Sequence, residues 1–304
     1  MTGLHALVAE GRLAEHVDLA PMTTYKVGGP GRWHMEAQSE QDLMDLSGAL
    51  KQDPVPILVL GRGSNVVISD AGFQGVVVRL GTGMAWLKIS PGGGVAAGAG
   101  LSQPALARGT AAAGRGGLEF MVGIPGSVGG AVRMNSGGRG GSYTADWLVT
   151  ARVVDLASGE ATNRDPAMLE MDYRHSNLEV TEVVVSADFR TVERPRDECE
   201  GILREITKWR KEQQPGGTFN AGSVFKNPVG DSAGRIIDDL GLKGLAVGGA
   251  SVSQRHANFI VAEPGTAAQQ IFDLIVLVQR RVHERTGIAL EREIRLVGDF
   301  GEVS

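Results

Sequence analysis

Leu60-Gly61-Arg62-Gly63-Ser64-Asn65-Val66-Val67-Ile68-Ser69-Asp70 is the stretch on which the fold turns. Its Gly-x-Gly invites a dinucleotide-binding reading of the Rossmann kind. That fingerprint needs a third glycine, a helix whose N-terminus receives the diphosphate, and an acidic residue roughly 20 positions on. Here the loop runs instead into Val66-Val67-Ile68, a β-branched run that favours extended backbone. With the apolar run Ile57-Leu58-Val59-Leu60 ahead of it, the unit reads as strand, glycine loop, strand. Consecutive backbone N–H groups in such a loop form an anion-binding nest, and Ser64 and Asn65 add side-chain donors. On the loop alone, an ordinary tight turn explains it equally well.

Working outward, Ser39 with Asp42 three residues on opens a helix close to a capping box, with Leu43, Leu46 and Leu50 on one face. A second helix is expected from Ser102 to Ala113, closed by Gly114 in the left-handed conformation. Gly114–Gly141 is glycine-rich and contains a strand-like insert, Gly130-Ala131-Val132-Arg133-Met134. Leu148–Leu156 and Val180–Val192 read as meander strands of one layer. Everything to about residue 195 forms one α+β region or two closely associated ones. From Arg194 the composition turns charged and helical, with Ile202, Ile206 and Trp209 on one face, which marks the best boundary. A last long helix is expected to begin at Thr266, with Gln269 in capping-box register, and to end at Gly287.

The chain has 304 residues, 42% of them hydrophobic, enough for two or three domains of roughly 100–200 residues each. Its 30 basic and 35 acidic residues are interspersed and give a net charge of −5, which speaks against a nucleic-acid partner. The single cysteine, Cys199, has no disulfide or zinc companion and reads as an inert thiol in a reducing compartment. No basic leader precedes an apolar run, and no stretch reaches the ~20 apolar residues that span a bilayer, so a cytoplasmic protein without membrane contact is expected. The 6 histidines lack paired spacing, so no metal site is expected. The 44 glycines cluster between apolar runs, as in loops that wrap a large ligand.

Three segments in order carry a family resemblance: Thr23-Thr24-Tyr25-Lys26-Val27-Gly28-Gly29-Pro30, the glycine loop above, and Gly117-Leu118-Glu119-Phe120-Met121-Val122-Gly123-Ile124-Pro125-Gly126-Ser127-Val128-Gly129-Gly130. They resemble the FAD-binding loops of the UDP-N-acetylenolpyruvoylglucosamine reductase family. The likeness continues through Tyr173-Arg174-His175-Ser176, Asn220-Ala221-Gly222-Ser223-Val224-Phe225-Lys226-Asn227-Pro228 and Leu290-Glu291-Arg292-Glu293-Ile294-Arg295-Leu296-Val297-Gly298, from about Leu19 to Gly298. With Tyr-Arg-x-Ser present, the chain is similar to the family's shorter type. It departs in one place: where the family commonly has Asn-Ala-Gly-Ala-Tyr-Gly, this chain has Asn135-Ser136-Gly137-Gly138-Arg139-Gly140.

The resemblance implies an α+β fold: a two-part FAD-binding region of the vanillyl-alcohol-oxidase type and a smaller α+β substrate-binding domain. The parts would be 1–80 with the C-terminal strand 289–304 returning to it, 81–194, and 195–288. It implies an NADPH-dependent flavoenzyme that reduces UDP-N-acetylglucosamine enolpyruvate to UDP-N-acetylmuramate in peptidoglycan synthesis. FAD would be met by Gly61, Gly63, Ser64, Asn65, Gly123, Ile124, Pro125, Gly126, Ser127, Gly129, Gly130 and Asn135. Tyr173, Lys226, Asn227, Arg255 and Asn258 would meet the UDP-sugar, and a monomer is favoured. The alternative is another FAD-dependent oxidase or dehydrogenase of the same superfamily.

The implied chemistry suits the residues. Hydride added to the β-carbon of an enol ether places charge on the α-carbon and its carboxylate, so donors aimed there stabilise the transition state selectively. Arg174 would hold the carboxylate in a bidentate fork. Glu293, if protonated, would donate to the same group, with Arg295 as its ion-pair partner; spacing alone does not separate it from Glu291. Ser223 would deliver the proton to the α-carbon, by a relay through solvent or Lys226. His256 reads as a structural histidine. With no separate dinucleotide fold, NADPH and the UDP-sugar are expected to use one cleft in turn, with ping-pong kinetics.

Overall fold

The computed structural model describes residues 3–138 and 140–302, and the chain divides into two compact units. Unit 1 is Met1–Glu15, Trp33–Gly61 and Gly75–Arg210; unit 2 is His16–Arg32, Arg62–Gln74 and Lys211–Ser304. Packing therefore groups the chain differently from its expected roles. Arg194 marks where charge and helix begin, yet helix Arg196–Gln213 counts with unit 1 as far as Arg210, and the two short segments before residue 75 are built in with the C-terminal part.

Unit 1 carries a five-stranded antiparallel sheet in the order 161–164, 148–155, 182–189, 95–98, 87–89. Successive residues of a strand face opposite sides. Val153 and Val184 accordingly join one buried cluster, with Leu106, Leu118 and Val128, while Val154, Val183 and Val185 join another, with Leu43, Leu46, Trp33 and Val76. The second cluster lies under helix Glu40–Gln52, which opens on the expected Ser39–Asp42 capping box. A four-stranded sheet contributes to it, ordered 14–18, 30–37, 73–80, 57–59, the last pair parallel with Ile57 opposite Val76. Helix Gln103–Ala112 follows the N-cap Ser102, and Gly114 takes φ 67° as expected.

The insert Gly130–Met134 is helical and not a strand. Helix Val128–Arg133 starts at Ser127, whose hydroxyl accepts from the Gly130 N–H at 3.2 Å. Val128, Ala131 and Val132 then recur at helical spacing and are buried, and that burial outweighs the β preference of valine.

Unit 2 is assembled from sequence-distant pieces. Strand Arg295–Val297 pairs in parallel with Val66–Ile68, Arg295 opposite Val66. A three-stranded antiparallel sheet, 246–247, 250–252 and 260–262, packs with helix Ala268–Thr286 through Ile271, Leu274, Ile275 and Val278. Tyr25 and Val27 belong to the same core. Tyr25 is wholly buried, its hydroxyl donates to the Ile260 carbonyl at 3.0 Å, and burial pushes its pKa up. The strand that leaves the glycine loop thus lies in unit 2, whereas strand Ile57–Val59 leading into it lies in unit 1.

The long helix of unit 2 does not use the capping box read from Thr266 and Gln269. Its N-cap is Ala267, and the Thr266 hydroxyl donates to the Glu263 carbonyl. The cap comes from Asp70, at the end of the glycine-loop strand, whose two carboxylate oxygens accept from the Ala268 and Gln269 N–H groups at 2.9 and 3.1 Å. A negative charge at this end is also favoured by the helix dipole. The other end is as expected, with Gly287 left-handed at φ 71°.

His256 is structural as expected. Its Nδ1 accepts from the Asn258 N–H at 3.2 Å, which requires an unprotonated nitrogen, and its ring packs on Phe259. Burial, then Lys243, holds its pKa below the ordinary 6.5; His34 is lowered in the same way by burial and then Arg79. Cys199 is buried, and burial followed by Glu119 raises its thiol pKa.

Two outcomes are expected. Asp70→Ala should lower unfolding free energy by about 1–2 kcal/mol in denaturant titration, and Asp70→Asn, which keeps one acceptor, by less. Because the folded state binds fewer protons at His256 and His34 than the unfolded chain, stability should be fully present above the ordinary imidazole value and fall as pH drops below it. His256→Gln, which cannot be protonated, should show a shallower fall in melting temperature between pH about 7.5 and about 5.

Candidate flavin and substrate site

Each unit gathers its own share of the candidate residues. Unit 1 holds Gly61, the Gly123–Gly130 loop, Asn135, Tyr173 and Arg174; unit 2 holds Gly63, Ser64, Asn65, Ser223, Lys226, Asn227, Arg255, Asn258 and Glu293.

In unit 1 the loop of residues 117–130 is stitched to the start of helix Gln103–Ala112. Gln103 N–H donates to the Gly126 carbonyl at 2.9 Å and Val128 N–H to the Leu101 carbonyl at 2.8 Å. Buried Glu119 fastens its beginning, accepting from Gly117 N–H at 2.7 Å and from Arg194 Nη1 at 2.6 Å. Gly61 comes close to this loop: a Cβ on it would lie 2.8 Å from Ser127 Oγ. Gly126 and Ser127 are buried, and among the described residues no acceptor receives either N–H.

A residue absent from the sequence reading stands beside this loop. Arg210 packs along Gly123, where a Cβ would meet its Cδ at 3.0 Å and its Nη1 at 3.7 Å. Burial alone lowers its pKa, and among the described residues it has neither an ion pair nor a hydrogen bond. The side chain is half-buried. In the sequence it reads as one more charge on the helix whose apolar face is Ile202, Ile206 and Trp209.

Arg174 sits at the corner of a tight turn closed by Asp172 N–H to His175 O at 3.2 Å and His175 N–H to Asp172 O at 3.0 Å. Its backbone is left-handed at φ 54°, and its guanidinium carbon lies 5.2 Å from the Tyr173 ring centre. Asn135 is only 4% exposed and works on the same turn, its Nδ2 donating to the Asp172 carbonyl at 2.9 Å. Arg139 lies outside the described residues.

In unit 2, Gly63 is left-handed at φ 63°, and a Cβ there would meet the Met22 carbonyl at 2.2 Å, so only glycine fits. Thr24 closes over it, its N–H and hydroxyl both donating to the Gly63 carbonyl. Asn65 Nδ2 donates to the Glu293 carbonyl at 3.1 Å, and Arg295 N–H donates to the Asn65 carbonyl at 3.1 Å. Glu293 N–H in turn donates to the Val224 carbonyl at 2.8 Å, and Lys226 N–H to the Glu291 carbonyl at 2.8 Å. Ser223 and Glu293 are therefore on neighbouring rungs, and Asn65 of the glycine loop is bonded to the same rung.

The structure separates the two glutamates. The segment before strand Arg295–Val297 is irregular. Glu291 is 71% exposed in its side chain and pairs with Lys226 Nζ at 2.6 Å, while Glu293 is half-buried. Asn258 is buried, and its amide both accepts from Phe225 N–H at 2.9 Å and donates to Phe225 O at 2.8 Å, so in the structure it braces the Ser223 segment. Asn227 is exposed and caps helix Ala233–Asp239 through Ala233 N–H; Arg255 is exposed and donates to the Lys211 carbonyl. Among the described residues there is no group of three metal-binding side chains, and no helix is long and apolar enough to cross a membrane.

Two family models match the chain. Residues 34–163 match an FAD binding domain, and residues 214–297 match the C-terminal domain of UDP-N-acetylenolpyruvoylglucosamine reductase. The chain is 39% identical to the UDP-N-acetylenolpyruvoylglucosamine reductase of Synechococcus sp. (strain CC9311), over 97% of this chain and 96% of the relative. It is 40% identical to the protein of the same name from Methylorubrum populi (strain ATCC BAA-705 / NCIMB 13946 / BJ001), over 95% and 92%. The crystal structure of the enzyme from Thermus caldophilus superposes with a TM-score of 0.80 at 36% identity, covering 93% of this chain and 98% of that one. The chain thus belongs to the UDP-N-acetylenolpyruvoylglucosamine reductase family of FAD-dependent enzymes.

Proposed function

We propose that the chain reduces the enolpyruvyl ether of UDP-N-acetylglucosamine to UDP-N-acetylmuramate, taking hydride from NADPH by way of FAD, in peptidoglycan synthesis. The observation that carries this reading is the placement of Ser223 and Glu293 on adjacent rungs, with Asn65 of the glycine loop bonded to the Glu293 carbonyl. One loop that faces a flavin and two groups that face a substrate then share one backbone frame.

Bound FAD supplies the hydride donor. The chain's own residues do the rest. Gly61, Gly63, Ser64 and the Gly123–Gly130 loop hold the cofactor, and Arg210 offers the positive charge for its diphosphate. Arg174 takes the substrate carboxylate in its fork, where charge develops as the β-carbon accepts hydride. Glu293, in protonated form, donates to the same carboxylate, and the Ser223 hydroxyl gives its proton to the α-carbon. Lys226, held by Glu291, and Asn227 and Arg255 serve the diphosphate and uridine. In this division of labour 1–80 with 289–304, and 81–194, are the flavin parts and 195–288 the substrate part.

Ser223→Ala should leave reduction of the flavin by NADPH within about two-fold of normal and slow its reoxidation by the enolpyruvyl UDP-sugar by about 10²–10⁴, as loss of a general acid does. Normal turnover in that variant would remove Ser223 from its role. Arg210→Gln should weaken FAD binding to the flavin-free protein at least about ten-fold, the loss of one charge-assisted contact, and should leave riboflavin binding unchanged. Flavin fluorescence quenching measures both.

A further inference from the structure

The corner that presents Arg174 is anchored from three directions. Before it, Asn135 Nδ2 donates to the Asp172 carbonyl at 2.9 Å, and after it the Ser176 hydroxyl donates to the Arg133 carbonyl at 2.7 Å. Both anchors are at the C-terminal end of helix Val128–Arg133. From the side, the Tyr143 ring meets the Tyr173 ring edge to face, centres 6.4 Å apart, while Arg174 lies over that same Tyr173 ring.

Tyr143 is itself tightly held. It bridges Gly137, and a Cβ on Gly137 would fall 2.4 Å from the Tyr143 ring and 3.0 Å from Arg174 Nη1. Gly137 is thus the point where Tyr143 and Arg174 close on each other, and its carbonyl is 3.5 Å from Arg174 Nη2. Asn135 and Arg174 are both left-handed, at φ 40° and 54°. Such backbone is unfavourable in residues other than glycine and persists only where surrounding contacts over-determine it. Both ends of the Asn135 amide are committed to the protein, since Oδ1 accepts from Ala145 N–H at 2.9 Å. The geometry is that of a mount.

We propose that Tyr143 and Asn135 are positioning residues for Arg174: Tyr143 through the Tyr173 ring and Gly137, Asn135 through the Asp172 carbonyl. A donor that stabilises developing charge must already be in place when the charge appears, and a turn corner without a mount does not hold a guanidinium still. This rests on the reading of Arg174 as the carboxylate-binding group.

The test compares holoenzyme variants Tyr143→Ala, Tyr143→Phe, Asn135→Asp and Arg174→Lys in the two half-reactions, flavin reduction by NADPH and reoxidation by the enolpyruvyl UDP-sugar. Tyr143→Ala should slow reoxidation about 10- to 100-fold, as a misplacement near 1 Å does, with flavin reduction and FAD content within about two-fold of normal, and Asn135→Asp, measured on its FAD-loaded fraction, should slow reoxidation at least about ten-fold more than flavin reduction. Tyr143→Phe, which keeps the ring, should recover at least about half the reoxidation rate. In the Arg174→Lys background Tyr143→Ala should add no more than about two-fold, the non-additivity of residues that act through one another. Each assignment falls with its own variant. Reoxidation at the normal rate, equal loss in both half-reactions, loss of FAD from folded Tyr143→Ala protein, or a full effect that persists with Arg174→Lys overturns it. If Tyr143→Ala yields no flavoprotein, Tyr143→Phe and the isosteric Asn135→Asp decide. Unchanged reoxidation in Arg174→Lys alone overturns the reading of Arg174 itself, a result distinct from failure of the mount.

Discussion

Asn65 and the backbone of Glu293–Arg295 exchange two hydrogen bonds, side-chain amide to carbonyl and N–H to carbonyl, each at 3.1 Å. Much of unit 2 hangs on this junction. From it strands Val66–Ile68 and Arg295–Val297 run in parallel, and from it the ladder continues to Val224 and so to Ser223. At the far end of the first strand Asp70 caps the long helix of the unit. A glycine loop that looked local is thereby built into the frame that carries Ser223 and Glu293. Moving it would move Glu293 and Ser223 together.

Unit 1 solves the complementary problem with strain and packing. Arg174 is displayed at a turn corner in a backbone state that arginine does not favour, and the surrounding contacts pin it there. The loop of residues 117–130 is stiffened by buried Glu119 with Arg194, and Arg210 packs along it at Gly123. A buried ion pair contributes little net stability, but breaking it is costly, so it suits a place where geometry matters more than energy. The same economy explains Asn258 in unit 2, whose amide substitutes for a strand beside Phe225.

Local chemistry in the sequence determined a good deal of this. The capping box at Ser39, the left-handed stops at Gly114 and Gly287, the paired strands near 150 and 185, and the refusal of a Rossmann reading by Val66–Ile68 all follow from interactions within a few residues, or from strand periodicity. So did the motifs that point to a flavin-dependent reductase. Tertiary structure decided what depends on partners far along the chain. Asp70 displaced the Thr266 capping box from 198 residues away, burial made Val128–Arg133 a helix, and the ion pair with Lys226 set Glu291 apart from Glu293, which equal spacing could not do. Arg210 and Tyr143 were illegible for the same reason. A charge on a helix and a tyrosine after a glycine run acquire meaning only from what lies against them, and burial and neighbours are properties of the folded chain.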